Sequence, residues 1–399
     1  MWNLTKESKD KFSSYHTMPI HETDEDWEYT LSDAKEGGLN ITAQLKEELD
    51  EVKEKLLAIL PSRFIPYVEN GTLNQPTLPE TVRNDYLQWM REGEKEFEQL
   101  LDAAYENTRQ SVTFLSSEVQ DVFAESLHDS TIDRIVREGD TLHLYVNTDG
   151  GFSSKSLIHF TFQHVLSEIS DTPLQVGQWF IYYEMQKTDN GFAFRVLFEC
   201  PDAEWTIVMK KLDAEYFYRP AIFTKLRDEE KLEEISLAEY VPLLNTDYRY
   251  WFITPDVTCV IKDFSETAMK FEDGKIEIGQ SEVVLTVGNE RFSYNLGEYN
   301  PIQFIYTDVY EDPYAQQNEP MPMEQLEAAA LSDDLELQVR AWNTMYSNPI
   351  ELATIINQVL AKMEITEENE MIVHVYSNHF YKEGILTEDV IEKYRELLE

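Results

Sequence analysis

Through the first third of the chain, apolar residues recur at three- and four-residue steps, the period of an amphipathic helix. Between Asn40 and Leu60 the stripe is Ile41, Leu45, Leu49, Val52, Leu56 and Ile59, and Glu47, Glu48, Asp50, Lys53 and Glu54 fill the opposite face. Pro61 and Pro66 end it, because proline lacks the backbone donor that a continuing helix needs. The period resumes from Glu80 to Phe123 through Tyr86, Met90, Phe97, Leu101 and Ala104, then Val112, Leu115, Val119 and Val122. Its register drifts between Asn107 and Ser111, so a break in the helix is expected there.

After His128 the period falls to two, the signature of a half-buried strand. Leu142, Leu144 and Val146 alternate, as do Ile158, Phe160 and Phe162. Trp179, Ile181 and Tyr183 run to Asp189-Asn190-Gly191, and Phe194, Val196 and Phe198 return. Asn-Gly between two alternating runs predicts a hairpin, since both residues accept positive φ. A strand through Trp205, Ile207 and Met209 follows. Residues 213–247 are mixed, with a helix expected around Asp228 to Tyr240. A second β region has Phe271 and Ile276 around an expected Asp273-Gly274 turn. Val283, Leu285 and Val287 lead to Gly288-Asn289, Phe292 and Tyr294 follow, and Phe304 and Tyr306 make a short strand.

Pro313, Pro320 and Pro322 among polar residues mark 311–323 as a linker. Beyond it, Asn348-Pro349 reads as the N-cap and first position of a helix with Leu352, Ile355, Ile356, Val359, Leu360 and Met363 on its apolar face. Met371 to Tyr376 reads as a strand, and Thr387-Glu388-Asp389 opens a last helix. The expected fold class is α+β. A helical acidic region spans 1–127, an antiparallel sheet region packing on it spans 128–212, and a second mixed α and β region spans 213–310. The 311–323 linker then joins a small, mainly helical module over 324–399.

Composition adds limits. A chain of 399 residues exceeds what one core usually organises. Its 22 Tyr, 20 Phe and 7 Trp supply real cores and exclude global disorder. Charge changes the picture most: 33 Lys and Arg face 76 Asp and Glu, a net charge of −43. Nucleic acid is excluded as a partner, because phosphates need clustered Lys and Arg, and anionic membranes are disfavoured for the same reason. A basic protein partner is favoured. Residues 1–150 hold a net −17 and residues 301–399 a net −15, so the field concentrates at the two ends. The candidate partner-binding acids are therefore Glu22, Asp24, Glu25 and Asp26 at one end, and Asp308, Glu311, Asp312 and Glu319 at the other, with aromatic anchors. The alternative is a merely solvated acidic surface. Two cysteines, no apolar leader in the first fifteen residues and no apolar run near the ~20 residues of a membrane span make the cytoplasm the expected compartment.

Chemical motifs are weak. His128-Asp129 invites comparison with the metal dyad of HD-type phosphohydrolases, but the further His and Asp ligands are missing, which favours a boundary histidine beside a capping aspartate. His16/His21, His159/His164 and His374/His379 are each five apart, whereas zinc-binding helices use spacings of three or four. Glu22, Asp24 and Asp26 alternate like a calcium loop without its glycine or its distant glutamate. Cys200 and Cys259 have no histidine nearby in sequence and read as inert thiols. No catalytic residue, metal or cofactor is expected. The leading expectation is an immunity- or inhibitor-like binding protein. A carboxylate-rich metal-dependent hydrolase and a housekeeping protein are the alternatives.

Ser126-Leu127-His128-Asp129-Ser130-Thr131-Ile132-Asp133, followed by Thr141-Leu142-His143-Leu144-Tyr145-Val146, carries a resemblance. It resembles uncharacterised domain-of-unknown-function families, mostly of Gram-positive bacteria, in which an acidic helical half leads through a Leu-His-Asp-Ser-x-Ile segment into a β-sheet. Similar sheets occur in proteins resembling polymorphic-toxin immunity proteins. The resemblance covers roughly residues 40–210 and turns on His128, Asp129 and Ser130. It implies an intracellular α+β protein and no catalytic residues.

Overall fold

The structure, a computed structural model, describes residues 2–265, 268–272, 274–366, 369–395 and 397–398. Its elements fall into two compact units, Met1–Arg219 with Asn245–Val309, and Pro220–Leu244 with Tyr310–Glu399. The chain thus crosses between units three times, where a reading along the sequence drew contiguous blocks.

The first unit opens with helices α1 (Lys6–Tyr15), α2 (Asp24–Glu36), α3 (Ile41–Ile59), α4 (Ile65–Glu69), α5 (Glu80–Val112) and α6 (Ser117–Phe123). The drift at Asn107 to Ser111 does not break α5, which continues to Val112. Those positions carry Asn107, Thr108 and Ser111 because this turn faces a strand backbone and not an apolar surface. Strands β1 (Thr131–Glu138), β2 (Thr141–Asn147), β3 (Leu157–Ser170), β4 (Trp179–Thr188), β5 (Gly191–Glu199) and β6 (Ala203–Phe217) close into an antiparallel barrel in the order β1-β2-β3-β6-β5-β4. Its interior is filled by the alternating residues of the sequence pattern, among them Leu144, Phe160, Phe162, Phe194, Phe198, Trp205 and Ile207. Val119, Val122 and Phe123 of α6 join that core, and the Phe123 ring meets Phe194 edge-on at 5.6 Å.

The barrel seam is narrow. β1 and β4 pair at Thr131 and Trp179, and the rest of β4 leaves backbone donors on its outer side. Helix α5 satisfies them with side chains. Thr108 Oγ1 accepts from Met185 N at 2.9 Å, Ser111 Oγ accepts from Lys187 N at 2.9 Å, and the Ser111 hydroxyl donates to the Met185 carbonyl at 3.2 Å. The Glu184 side chain, fully buried, gathers the N-terminal segment onto the same strand. Its carboxylate accepts from the backbone of Asn3 (2.8 Å) and Leu4 (3.1 Å), and from the amides of Asn3, Asn107 and Gln186. Burial pushes this carboxyl up, but the hydrogen bonds from Asn107, Gln186, Leu4 and Asn3 outweigh it and hold the group below its ordinary value of 4.5.

Beyond the barrel, β7 (Tyr250–Ile253), β8 (Thr258–Ser265), β9 (Ala268–Phe271), β10 (Gly274–Ile278), β11 (Glu282–Val287), β12 (Glu290–Asn295) and β13 (Ile305–Thr307) form an antiparallel sheet in the order β12-β11-β10-β9-β8-β7-β13. The expected Asp273-Gly274 turn involves Asp273, which lies outside the described residues. Leu157 and Phe217 of the barrel pack with Ile253 and Tyr306 of this sheet.

Every described element of the second unit is helical. They are α7 (Ala221–Asp228), α8 (Leu237–Tyr240), α9 (Met323–Ala330), α10 (Leu335–Ser347), α11 (Ala353–Lys362), α12 (Glu370–Lys382) and α13 (Glu388–Lys393), with short 3-10 turns at Val241–Leu243 and Ala315–Asn318. Three expectations are corrected. The helix expected around Asp228 to Tyr240 is two short helices separated by turns. Asn348 caps the end of α10, and the next helix begins at Ala353. Met371 to Tyr376 is not a strand but part of α12. Its β-branched residues favour a strand locally, yet burial of Val373, Ser377 and Phe380 at three- and four-residue steps fixes a helix.

Two outcomes follow. Glu184→Gln removes the charge and turns an amide N–H₂ toward existing donors. It should lower the unfolding free energy by roughly 3 kcal/mol at neutral pH in urea titrations. Because the folded carboxyl titrates below its unfolded value, the gap between wild type and variant should be full above pH 4.5 and shrink as pH falls through the depressed value. Gly93 lies inside α5, where alanine ordinarily gains about 1 kcal/mol. Here a Cβ would stand 2.5 Å from the Tyr15 ring of α1, so Gly93→Ala should destabilise instead, by about 1–3 kcal/mol in the same titration.

Candidate functional site

The acids expected to bind a partner are mostly committed within the fold. Glu22 pairs with Arg91 at 2.6 Å, and Asp24 pairs at 2.7 Å with the buried Arg83. Asp26 closes a capping box with Thr23 at the start of α2, and the Thr23 hydrogen bonds hold its carboxyl below the usual range. Glu25 is exposed. In the first unit Asp308 pairs with Arg249. In the second, Asp312 accepts from the Tyr314 backbone at 2.8 Å, Glu319 lies 3.5 Å from Arg340, and Glu311 is exposed.

The Leu-His-Asp-Ser segment lies at the barrel seam. His128 Nδ1 is 2.7 Å from the Ile181 carbonyl, and its Nε2 is 3.6 Å from Asp129. Asp129 does not cap a helix. It takes a left-handed backbone at φ 62°, and its N–H donates to the Phe180 carbonyl at 2.9 Å. Ser130 is buried, and its N–H donates to the Leu127 carbonyl. These residues turn the chain into β1. Of the two cysteines, Cys259 is buried and Cys200 exposed. Among the described residues no group of three or more His, Cys, Asp or Glu could hold a metal ion.

Sequence reasoning missed what the barrel's outer face assembles. A β-bulge in β1 falls between Ile132 and Arg134, and a bulge re-aims the side chains around it. Ile132 stays in the barrel core while both Asp133 and Arg134 face a cavity of about 380 Å³ toward the second sheet. Tyr145, Asn147, Arg219, Thr254, Tyr299 and Phe304 share its lining. Arg134 is 7% exposed, and its guanidinium lies 3.5 Å from the centre of the Tyr145 ring. That ring stacks in turn on His159 at 4.1 Å, and His159 Nδ1 is 3.3 Å from Glu215. The four residues are direct cross-strand partners on β1, β2, β3 and β6. His143 Nδ1 sits 3.0 Å from His159 Nε2, and burial, then the neighbouring imidazole, pulls the His143 pKa down. Arg219 pairs with Asp149 at 2.8 Å.

One signal for this site was present in the sequence. Ile132-Asp133-Arg134-Ile135 places two charged residues between apolar ones inside an alternating run, which is how an inserted bulge residue reads. The cross-strand row has no such signal, since register sets it.

The architecture defines an α+β protein whose first unit joins a closed antiparallel barrel, sealed by a long helix, to a second antiparallel sheet. Residues 3–209 match the family described as protein of unknown function DUF4085, and the chain belongs to that family. The match takes in α1 to α6 and all of the barrel except the end of β6, beginning earlier than the resemblance suggested. No curated protein and no solved structure matches the chain. No helix among the described residues is long and apolar enough to cross a membrane.

The acids at the start of α2 should therefore separate by role. Asp24→Ala, which strands Arg83, should lower the melting temperature by about 2–4 °C. Asp26→Ala should act in the same direction through the lost cap, while Glu25→Ala should leave thermal unfolding followed by circular dichroism unchanged.

Proposed function

We propose that this protein is a cytoplasmic binding protein, of immunity or inhibitor type, that recognises a basic protein partner through its helical second unit. The observation that carries this reading is a combination. That unit holds 25 Asp and Glu against 8 Lys and Arg, and it leaves apolar side chains exposed among them. On α12, Met371 is 76% exposed and Val375, one turn on, is 54% exposed. A further turn along, His379 stacks on Tyr346 of α10 at 3.7 Å. Glu370 and Glu383, both exposed, flank the helix.

An apolar stripe with an acidic rim suits a partner whose own apolar patch is ringed by Lys and Arg. The stripe supplies the short-range contacts, and the rim speeds encounter and selects for positive charge. Glu311, Asp312 and Glu319 add to the field around this unit. The eight candidate acids are not equivalent here. Glu22, Asp24, Asp26 and Asp308 already neutralise cations or cap a helix in the first unit, so their share in steering is smaller.

The test is capture of the partner from the native host at low salt, followed by stopped-flow association with the purified pair. The partner should be basic, and its association rate should fall about tenfold or more as salt shortens the screening length below about 8 Å. Neutralising Glu370 and Glu383 to Gln should slow association, whereas Met371→Ala with Val375→Ala should chiefly speed dissociation. A partner without excess positive charge, or an association rate indifferent to salt and to both variants, would overturn the reading.

A further inference from the structure

The cavity beside β1 belongs to the first unit, and its lining has a chemical character of its own. Asp133 and Arg134 are adjacent in sequence and opposite in charge, and the bulge turns both toward one space. They do not pair with each other. Among the described residues Arg134 donates to the Thr258 hydroxyl at 2.8 Å and the Thr254 carbonyl at 3.4 Å, its buried Nε has no hydrogen-bond partner, and the Asp256 carboxylate acts on it only through space, without a direct ion pair. The Asp133 carboxylate accepts from Asn147 Nδ2 at 3.3 Å. Two half-satisfied opposite charges in a partly apolar space are costly, and a fold keeps such groups where a ligand completes them.

The neighbours restrict the ligand. Arg219 is held by Asp149, so it contributes field and not a free donor pair. Tyr145 is covered by Arg134 on one side and His159 on the other, so it braces the guanidinium and offers a ligand little of its face. The apolar wall that remains comes from Leu157, Ile253, Tyr299 and Phe304. A volume of about 380 Å³ is at the small end for ligand pockets, the size of a metabolite.

We propose that this cavity binds a free amino acid or a zwitterion of the same class, its carboxylate on Arg134, its ammonium on Asp133, and its side chain against Tyr299 and Phe304. A simple anion would leave Asp133 uncompensated and close to a second negative charge. A simple cation would leave Arg134 in the same position. A molecule carrying both charges satisfies both side chains at once. Burial, the largest influence on the Asp133 carboxyl, raises its pKa despite the two nearby guanidinium groups, as expected of a carboxylate short of a counter-charge.

The experiment is isothermal titration calorimetry of the full chain with the twenty free L-amino acids, then with the deaminated and decarboxylated analogues of the best ligand. At least one amino acid should bind with one-to-one stoichiometry, and each analogue should bind about tenfold or more weakly. Asp133→Asn should weaken the amino acid by a similar factor while sparing its deaminated analogue. Arg134→Gln should weaken the amino acid while sparing the decarboxylated one. Should the buried Arg134 variant fail to fold, Asp133→Asn and the analogue series still decide the matter. Absence of binding at millimolar concentration overturns the proposal. So does equal binding of the deaminated analogue, or an Asp133→Asn variant that binds the amino acid as wild type does.

Discussion

The first unit depends on how one strand edge is satisfied. A closed barrel removes exposed edges only where its first and last strands pair, and here β1 and β4 do so over a short stretch. The remainder of β4 would present unpaired donors beneath a helix, a position that water reaches poorly. Thr108 and Ser111 of α5 take the place of the missing strand, and Glu184 extends the arrangement to the N-terminal segment. Long helix, barrel and N-terminus are thus tied by polar contacts of wide sequence separation. Each is strong because it is shielded and expensive to leave unmade.

The same economy runs through the charge of the molecule. A net −43 suggests a surface of free carboxylates, yet many acids of the first unit are structural. Lys6 bridges Asp171 and Asp202, Lys9 reaches Glu199 and Asp202, and Glu125 receives Lys155 and the Ser153–Ser154 turn. Burial acts to raise the Glu125 carboxyl, but those hydrogen bonds prevail and bring it down to about 2. Residue for residue the helical second unit is the more acidic, with a net −17 in the shorter unit against −26 in the longer first unit, because cations there are few.

On the barrel's outer face, regular pairing and the bulge in β1 have different consequences. Regular register aligns Arg134, Tyr145, His159 and Glu215 across four strands, so each ring or charge is held by its neighbours. The bulge turns Asp133 toward the same space as Arg134 without letting the two neutralise each other. A row braced in this way, ending in a guanidinium that makes no direct ion pair among the described residues, suits pre-organised binding, because the side chains are fixed before a ligand arrives.

The sequence by itself determined the local periods: the helix over Ile41–Ile59, the hairpin about Asn190-Gly191, the alternating strands of the barrel and the acidic excess. Periodicity is a local property, and burial of one face enforces it. Where tertiary contacts compete with local preference, the reading failed. Thr108 and Ser111 resembled a helix break because their partner is a strand backbone 77 and 76 residues away. Met371 to Tyr376 resembled a strand because its β-branched residues hide a helical burial pattern. Closure of the sheet into a barrel, assignment of 220–244 to the second unit and convergence of Asp133, Arg134, Asn147 and Tyr299 on one cavity were decided only in three dimensions. Each depends on register and on packing between segments far apart in the chain, and a pattern of polar and apolar positions carries no record of which distant segment will be its neighbour.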